Sequence, residues 1–86
     1  MMEQKCFICK TNLNLHKHHV FFGTGERKLS EKYNMVCCLC WAHHTGPKGV
    51  HNNRELDLII KRHYQKMFEE AYNRTKFIET FGRNYL

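Results

Sequence analysis

Two hydrophobic rhythms follow one another along the chain. Leu15 to Phe22 and Met35 to Leu39 are short runs rich in β-branched, aromatic or aliphatic residues, of strand length, and Thr11-Asn12-Leu13-Asn14 reads as a turn before the first. They predict an antiparallel hairpin. Its connection is a basic, Gly-containing loop, Phe22-Gly23-Thr24-Gly25-Glu26-Arg27-Lys28, followed by one helical turn through Ser30 to Tyr33. Beyond Gly46-Pro47-Lys48-Gly49, which holds the only proline, the period becomes helical. Leu56, Ile59, Ile60, His63, Met67 and Phe68 predict an amphipathic helix of about five turns reaching Tyr72. Asn52 can cap it, with Glu55 reaching back as in a capping box. Asn73 opens a shorter helix with Phe77, Ile78 and Phe81 as its apolar stripe and Gly82 just past its end. The fold class is therefore α+β.

Composition limits what such elements can do alone. At 86 residues and 42% hydrophobic content, the chain reads as one small domain, 1–86, without repeats. Domains of this size bury only about 60–65% of the surface exposed on unfolding, and they usually need a staple. The five Cys are an odd number, and no apolar leader follows Met1-Met2-Glu3-Gln4-Lys5, so a metal staple in a reducing cytoplasm is expected rather than a disulfide framework. No apolar run approaches the about 18 residues of a membrane span, and no membrane partner is expected. A formal charge of +6, with basic residues from Lys5 to Arg83, favours polyanionic partners. A solvated basic surface is the plain alternative.

The cysteines and histidines outnumber what one structural site needs. Cys6-x-x-Cys9 is a zinc half-site, since two thiolates two residues apart grip one ion from a tight turn. The other half is Cys37-x-x-Cys40 or Cys40-x-x-His43. Cys40 with His43 is preferred, because a strand over Met35 to Leu39 holds Cys37 extended and leaves Cys37 and Cys38 as small buried apolar residues. His18, His19, His44 and His51 then have no structural task, which points to a second, open metal site. His16 and His63, lying outside this pattern, read as ordinary structural histidines. Gly23-Thr24-Gly25 lacks the spacing of a phosphate-binding P-loop and reads as loop flexibility.

His18-His19-Val20 at a strand end, Cys40-Trp41-Ala42-His43-His44, and Gly49-Val50-His51 before a helix together resemble the HNH endonucleases of the ββα-metal class. The stretch from His43 to His51 is particularly similar to small phage-encoded members, including recombination-enhancement nucleases. The resemblance covers residues 6–54 and implies a ββα-metal core with a zinc knuckle, leaving 55–86 as a helical C-terminal extension that covers the core or forms a homodimer contact. By this resemblance, Cys6, Cys9, Cys40 and His43 hold structural zinc, and His18, His44 and His51 hold a catalytic divalent ion such as Mg²⁺, Mn²⁺, Ni²⁺ or Zn²⁺. His19 is the implied general base. Asn34 is the nearest counterpart of the family's name-giving asparagine, although it reads equally as the end of a turn.

The implied activity is metal-dependent hydrolysis of DNA phosphodiesters in the cytoplasm of a phage- or prophage-bearing bacterium, with phage or host recombination or packaging proteins as associates. An imidazole of ordinary pKa, about 6.5, accepts a proton from water near neutral pH. A metal held by three side chains keeps positions open for phosphate oxygens. Arg27, Lys28, Lys48 and Arg54 are the candidates for phosphate contacts. The competing class is a zinc-knuckle nucleic-acid-binding or interaction module without chemistry. A redox role for Cys6-x-x-Cys9 lacks the surrounding βαβ pattern.

Overall fold

Backbone pairing between two five-residue strands sets the frame. In the computed structural model, which describes residues 4–22 and 25–86, β1 (Leu15–His19) runs antiparallel to β2 (Val36–Cys40). Leu15 lies opposite Cys40, and His18 lies opposite Cys37. β1 stops earlier than the hydrophobic run suggests because Phe21 leaves the ladder. Its N–H is taken by Ser30 Oγ at 3.2 Å, and the same hydroxyl donates back to the Phe21 carbonyl at 2.6 Å. Both residues are fully buried, so this exchange satisfies backbone groups that would otherwise be stranded.

The connection is more helical than the single turn expected. α1 (Glu26–Lys32) starts from Gly25, whose φ of 81° suits a residue without Cβ, and it absorbs Arg27 and Lys28 from the predicted loop. Gly23 and Thr24 lie outside the described residues. β2 leads directly into α2 (Trp41–His44), a single turn of helix. Asn53 caps α3 (Arg54–Ala71), its side chain accepting from the Leu56 N–H at 3.2 Å. Asn52, the expected cap, instead donates to the carbonyls of Thr45 and Gly46 at 3.3 and 3.1 Å. Asn73 caps α4 (Arg74–Phe81), and Gly82 closes it in the left-handed conformation, as expected.

The core lies between the sheet and the two long helices: Val20, Phe21, Leu39, Ile60, Phe68, Phe77 and Phe81. Phe21 stacks on Phe81 and Phe77, with ring centroids 4.5 and 5.2 Å apart, so the segment after β1 is anchored to α4. The buried face of α3 differs from the predicted stripe. It carries Ile60, Lys61, Tyr64, Gln65 and Phe68, whereas Ile59 and Met67 are exposed. Lys61 pairs with Asp57 at 2.9 Å beneath the Phe22 ring. No helix among the described residues is long and apolar enough to cross a membrane.

Phe68 touches Tyr33, Tyr72, Phe77 and Phe81 and is 1% exposed. Phe68→Ala is expected to lower the unfolding free energy in urea by about 3–5 kcal/mol. Ile78→Ala, on the exposed side of α4, is expected to change it by about 0.5 kcal/mol or less.

Candidate metal centres

Four ligands converge where the N-terminal turn meets the end of β2. The turn is held by Cys6 N–H to the Thr11 carbonyl at 2.8 Å, Lys10 N–H to the Cys6 carbonyl at 3.0 Å, and Phe7 N–H to the Cys38 carbonyl at 2.8 Å. Cys40 ends β2, and α2 carries His43 back over it. Cys9 Sγ lies 3.7 Å from Cys40 Sγ, and His43 Nδ1 lies 3.3 Å from Cys40 Sγ and 3.8 Å from Cys6 Sγ. Zinc bonds of about 2.3 Å to sulfur and about 2.0–2.1 Å to nitrogen put tetrahedral ligands about 3.8 Å apart for sulfur pairs and about 3.6 Å for mixed pairs. The spacing is compatible with a zinc-type Cys₃His site.

The electrostatics of the two buried sulfurs run in opposite directions. Burial works against the Cys6 thiolate, yet the backbone N–H groups of Cys9, Cys40 and Ile8 outweigh it and bring the thiol down to about 6. Burial, together with the Cys9 and Cys6 sulfurs, holds Cys40 above its ordinary value. Cys37 stands outside the cluster beside Tyr64, and burial pushes its thiol up to about 12. It behaves as a half-buried apolar side chain, and the four-cysteine alternative is not the one formed.

A second cluster gathers His18 from β1, His44 from α2 and His51 from the following loop, one nitrogen of each lying within 4.8 Å of the others. The loop between His44 and His51 doubles back onto α2. Val50 N–H donates to the His43 carbonyl at 2.9 Å, and His51 N–H donates to the His44 carbonyl at 3.3 Å. Gly49 permits this approach, since a Cβ there would meet the His44 oxygen at 2.5 Å. His44 Nε2 and His51 Nε2 stand 3.1 Å apart. Two nitrogens on one ion with bonds of about 2.0–2.1 Å are separated by about 2.9 Å at right angles and about 3.4 Å in a tetrahedron. His18 Nε2 is buried without a hydrogen-bond partner, an arrangement that ordinarily costs about 1–3 kcal/mol. Burial, followed by the neighbouring His44 and His51 and by Lys61, lowers its pKa to about 3, so the ring keeps a neutral lone pair. Burial, followed by the neighbouring His51 and His16, lowers His44 as well. The donor set and spacing therefore fit a metal ion.

His19 lines one cavity of about 280 Å³ together with His18, His44, His51, Lys17, Phe22 and Arg27. His19 Nε2 lies 2.8 Å from Glu31 Oε1, and Lys17 pairs with the same carboxylate. Hydrogen bonds from Lys17 first, then from His19, hold Glu31 below the usual carboxylate range. An ionised carboxylate only accepts, so His19 Nε2 is the donor in this contact, and Nδ1 is the nitrogen left unengaged by Glu31.

Other expected site residues fall elsewhere. Arg54 lines an adjoining cavity that shares Phe22 and His51 with the first, whereas Lys28 and Lys48 are exposed and line neither. Asn34 is not among the lining residues; it sits in the turn after α1 with φ 58°, beside a different cavity with Leu15 and Val36. His63 packs on the Phe7 ring at 5.1 Å, as a structural histidine does. His16, set aside in the sequence as structural, reaches the cluster: its Nδ1 lies 3.1 Å from His44 Nδ1. The available signal was its two-residue offset from His18, which puts both on one strand face.

Comparison with family models, curated proteins and solved structures returns no match for this chain.

Cys9→Ser and Cys40→Ser are each expected to lose tightly bound zinc, measured as metal content after dialysis, and to unfold with it. Cys37→Ser should retain about one equivalent. Zinc retained by the Cys40 variant when His18→Ala also disables the histidine cluster, or lost from the Cys37 variant, rejects the ligand assignment.

Proposed function

We propose that the protein is a metal-dependent DNA endonuclease of the HNH type. The observation that carries this reading is the meeting of His18, His44 and His51 in the cavity that His19 also lines. A purely structural zinc knuckle has no use for a second ligand set with a proton acceptor beside it. The order of elements, a hairpin whose first strand ends in His18-His19, then the knuckle, then a histidine just before a long helix, supports the family resemblance.

In this reading His18, His44 and His51 hold the divalent ion, which supplies Lewis acidity toward a phosphate oxygen and the departing 3′ oxygen when bound. His44 gives Nε2 to that task, so its Nδ1 carries the proton and donates to His16 Nδ1. His16 thereby fixes the ring as an outer partner does for most ligating histidines. His19 takes the proton of the attacking water at Nδ1, and Glu31 holds its other nitrogen and favours the imidazolium that forms. Arg27 lies where it can meet the phosphate. The products implied are 5′-phosphate and 3′-hydroxyl ends.

Plasmid nicking with Mn²⁺, Mg²⁺ or Ni²⁺ tests the proposal. His19→Ala is expected to reduce the nicking rate by about 10²–10⁴-fold while leaving Ni²⁺ binding intact, and His18→Ala to lose both. Nucleic-acid binding without nicking in any of these metals would instead favour a non-catalytic binding module.

A further inference from the structure

The histidine cavity does not end at His51. It shares Phe22 and His51 with a second cavity, which shares Arg54 and Asp57 with a third that reaches Arg83 on the C-terminal tail. The second and third hold about 350 and 310 Å³. Together they make a groove from the imidazoles along the start of α3.

The far wall of this groove is built at the expense of the core. Residues after a last helix ordinarily fray. Here the tail is clamped by Gln65, a fully buried side chain in the middle of α3. Its Nε2 donates to Asn84 Oδ1 at 2.8 Å, and its Oε1 accepts from the Tyr85 N–H at 2.8 Å. Arg62 Nε donates to the Tyr85 carbonyl at 2.9 Å, and the Lys61 ammonium lies 5.3 Å from the Tyr85 ring centre. A buried amide is costly unless fully partnered, and Phe77 and Phe81 already fill the core at that end. The clamp holds Asn84 and Tyr85 against α3, and the preceding Arg83 lines the same cleft as Arg54 and Arg62. Asp57, the one carboxylate among the lining residues, is already engaged by Lys61. Three guanidiniums thus share a cleft whose one lining carboxylate is paired with Lys61 through Oδ2, its Oδ1 buried without a partner, and guanidinium matches phosphate in a bidentate geometry.

We infer that the cleft of Arg54, Arg62 and Arg83 seats the sugar–phosphate backbone of a nucleic acid on one side of the histidine cavity. That the seated strand is then cut rests on the nuclease reading; that it is bound does not.

Binding of a short fluorescent DNA duplex to zinc-loaded protein without other divalent ions, followed by anisotropy across a salt series, reads binding separately from cleavage. Arg62→Ala with Arg83→Ala is expected to weaken binding by about 10–100-fold and to reduce the slope of log affinity against log salt by about 2. Arg83→Ala alone leaves the clamp atoms in place and covers the case in which the double variant misfolds; its expected slope change is about 1. Lys32→Ala with Lys66→Ala removes the same charge outside the three cavities and is the control. An arginine pair without effect, or a control pair with an equal effect, overturns the proposal. Loss of binding in the arginine variants of a protein that never nicks DNA would sustain the cleft and sink only the nuclease.

Discussion

A single turn of helix has to serve two ligand clusters at once. Successive helical residues point about 100° apart, so His43 and His44 on α2 address different neighbourhoods, one the sulfurs and the other the imidazoles. A helix this short has no stability of its own. It is fixed at one end by Cys40 and at the other by the returning loop, where Gly46 N–H donates to the Trp41 carbonyl at 2.9 Å and His51 N–H to the His44 carbonyl at 3.3 Å. The sulfur cluster therefore aims His44, and the loop carries His51 to meet it. What looks like a staple for a small core also sets the geometry of the second cluster.

This coupling explains which parts of the molecule were legible in the sequence. Ligand chemistry is local and selective: Cys6, Cys9, Cys40 and His43 could be chosen from spacing and from the extended backbone expected at Cys37. The three histidines of the second cluster were found by residue type and by family resemblance, although their nearness depends on a loop whose return Gly49 permits. Long-range contacts were not legible. α1 extends to Glu26, and its Ser30 is buried against the Phe21 backbone, a pairing with no local signature. Asn53 displaces Asn52 as the cap because Asn52 is spent on closing the preceding loop. The buried face of α3 departs from the apolar period for a related reason. Periodicity counts apolar residues, but Lys61 and Gln65 are drawn inward by Asp57, Phe22, Asn84 and Tyr85, leaving Ile59 and Met67 outside. Asn34, for which the sequence offers both a counterpart of the family's asparagine and the end of a turn, sits in a left-handed turn, a conformation that by itself accounts for an asparagine.

The charge around the histidine cavity gives a constraint that the ligand list alone does not. Three neutral imidazoles contribute no negative charge to a bound cation. Two acids beside the cavity's lining residues are engaged, Glu31 by Lys17 and His19, and Asp57 by Lys61. Arg27 lines the cavity, and Lys61 is felt at His18 strongly enough to help lower its pKa. The field therefore opposes a cation and favours a phosphate. Affinity for an ion would have to come from the donor bonds themselves, which are strong between imidazole and borderline transition metals and weak for Mg²⁺, whose binding relies on charged oxygen ligands. On the proposed nuclease reading, an ion held by neutral donors keeps its full charge for an incoming phosphodiester, and the surrounding cations that oppose the ion attract the same anion.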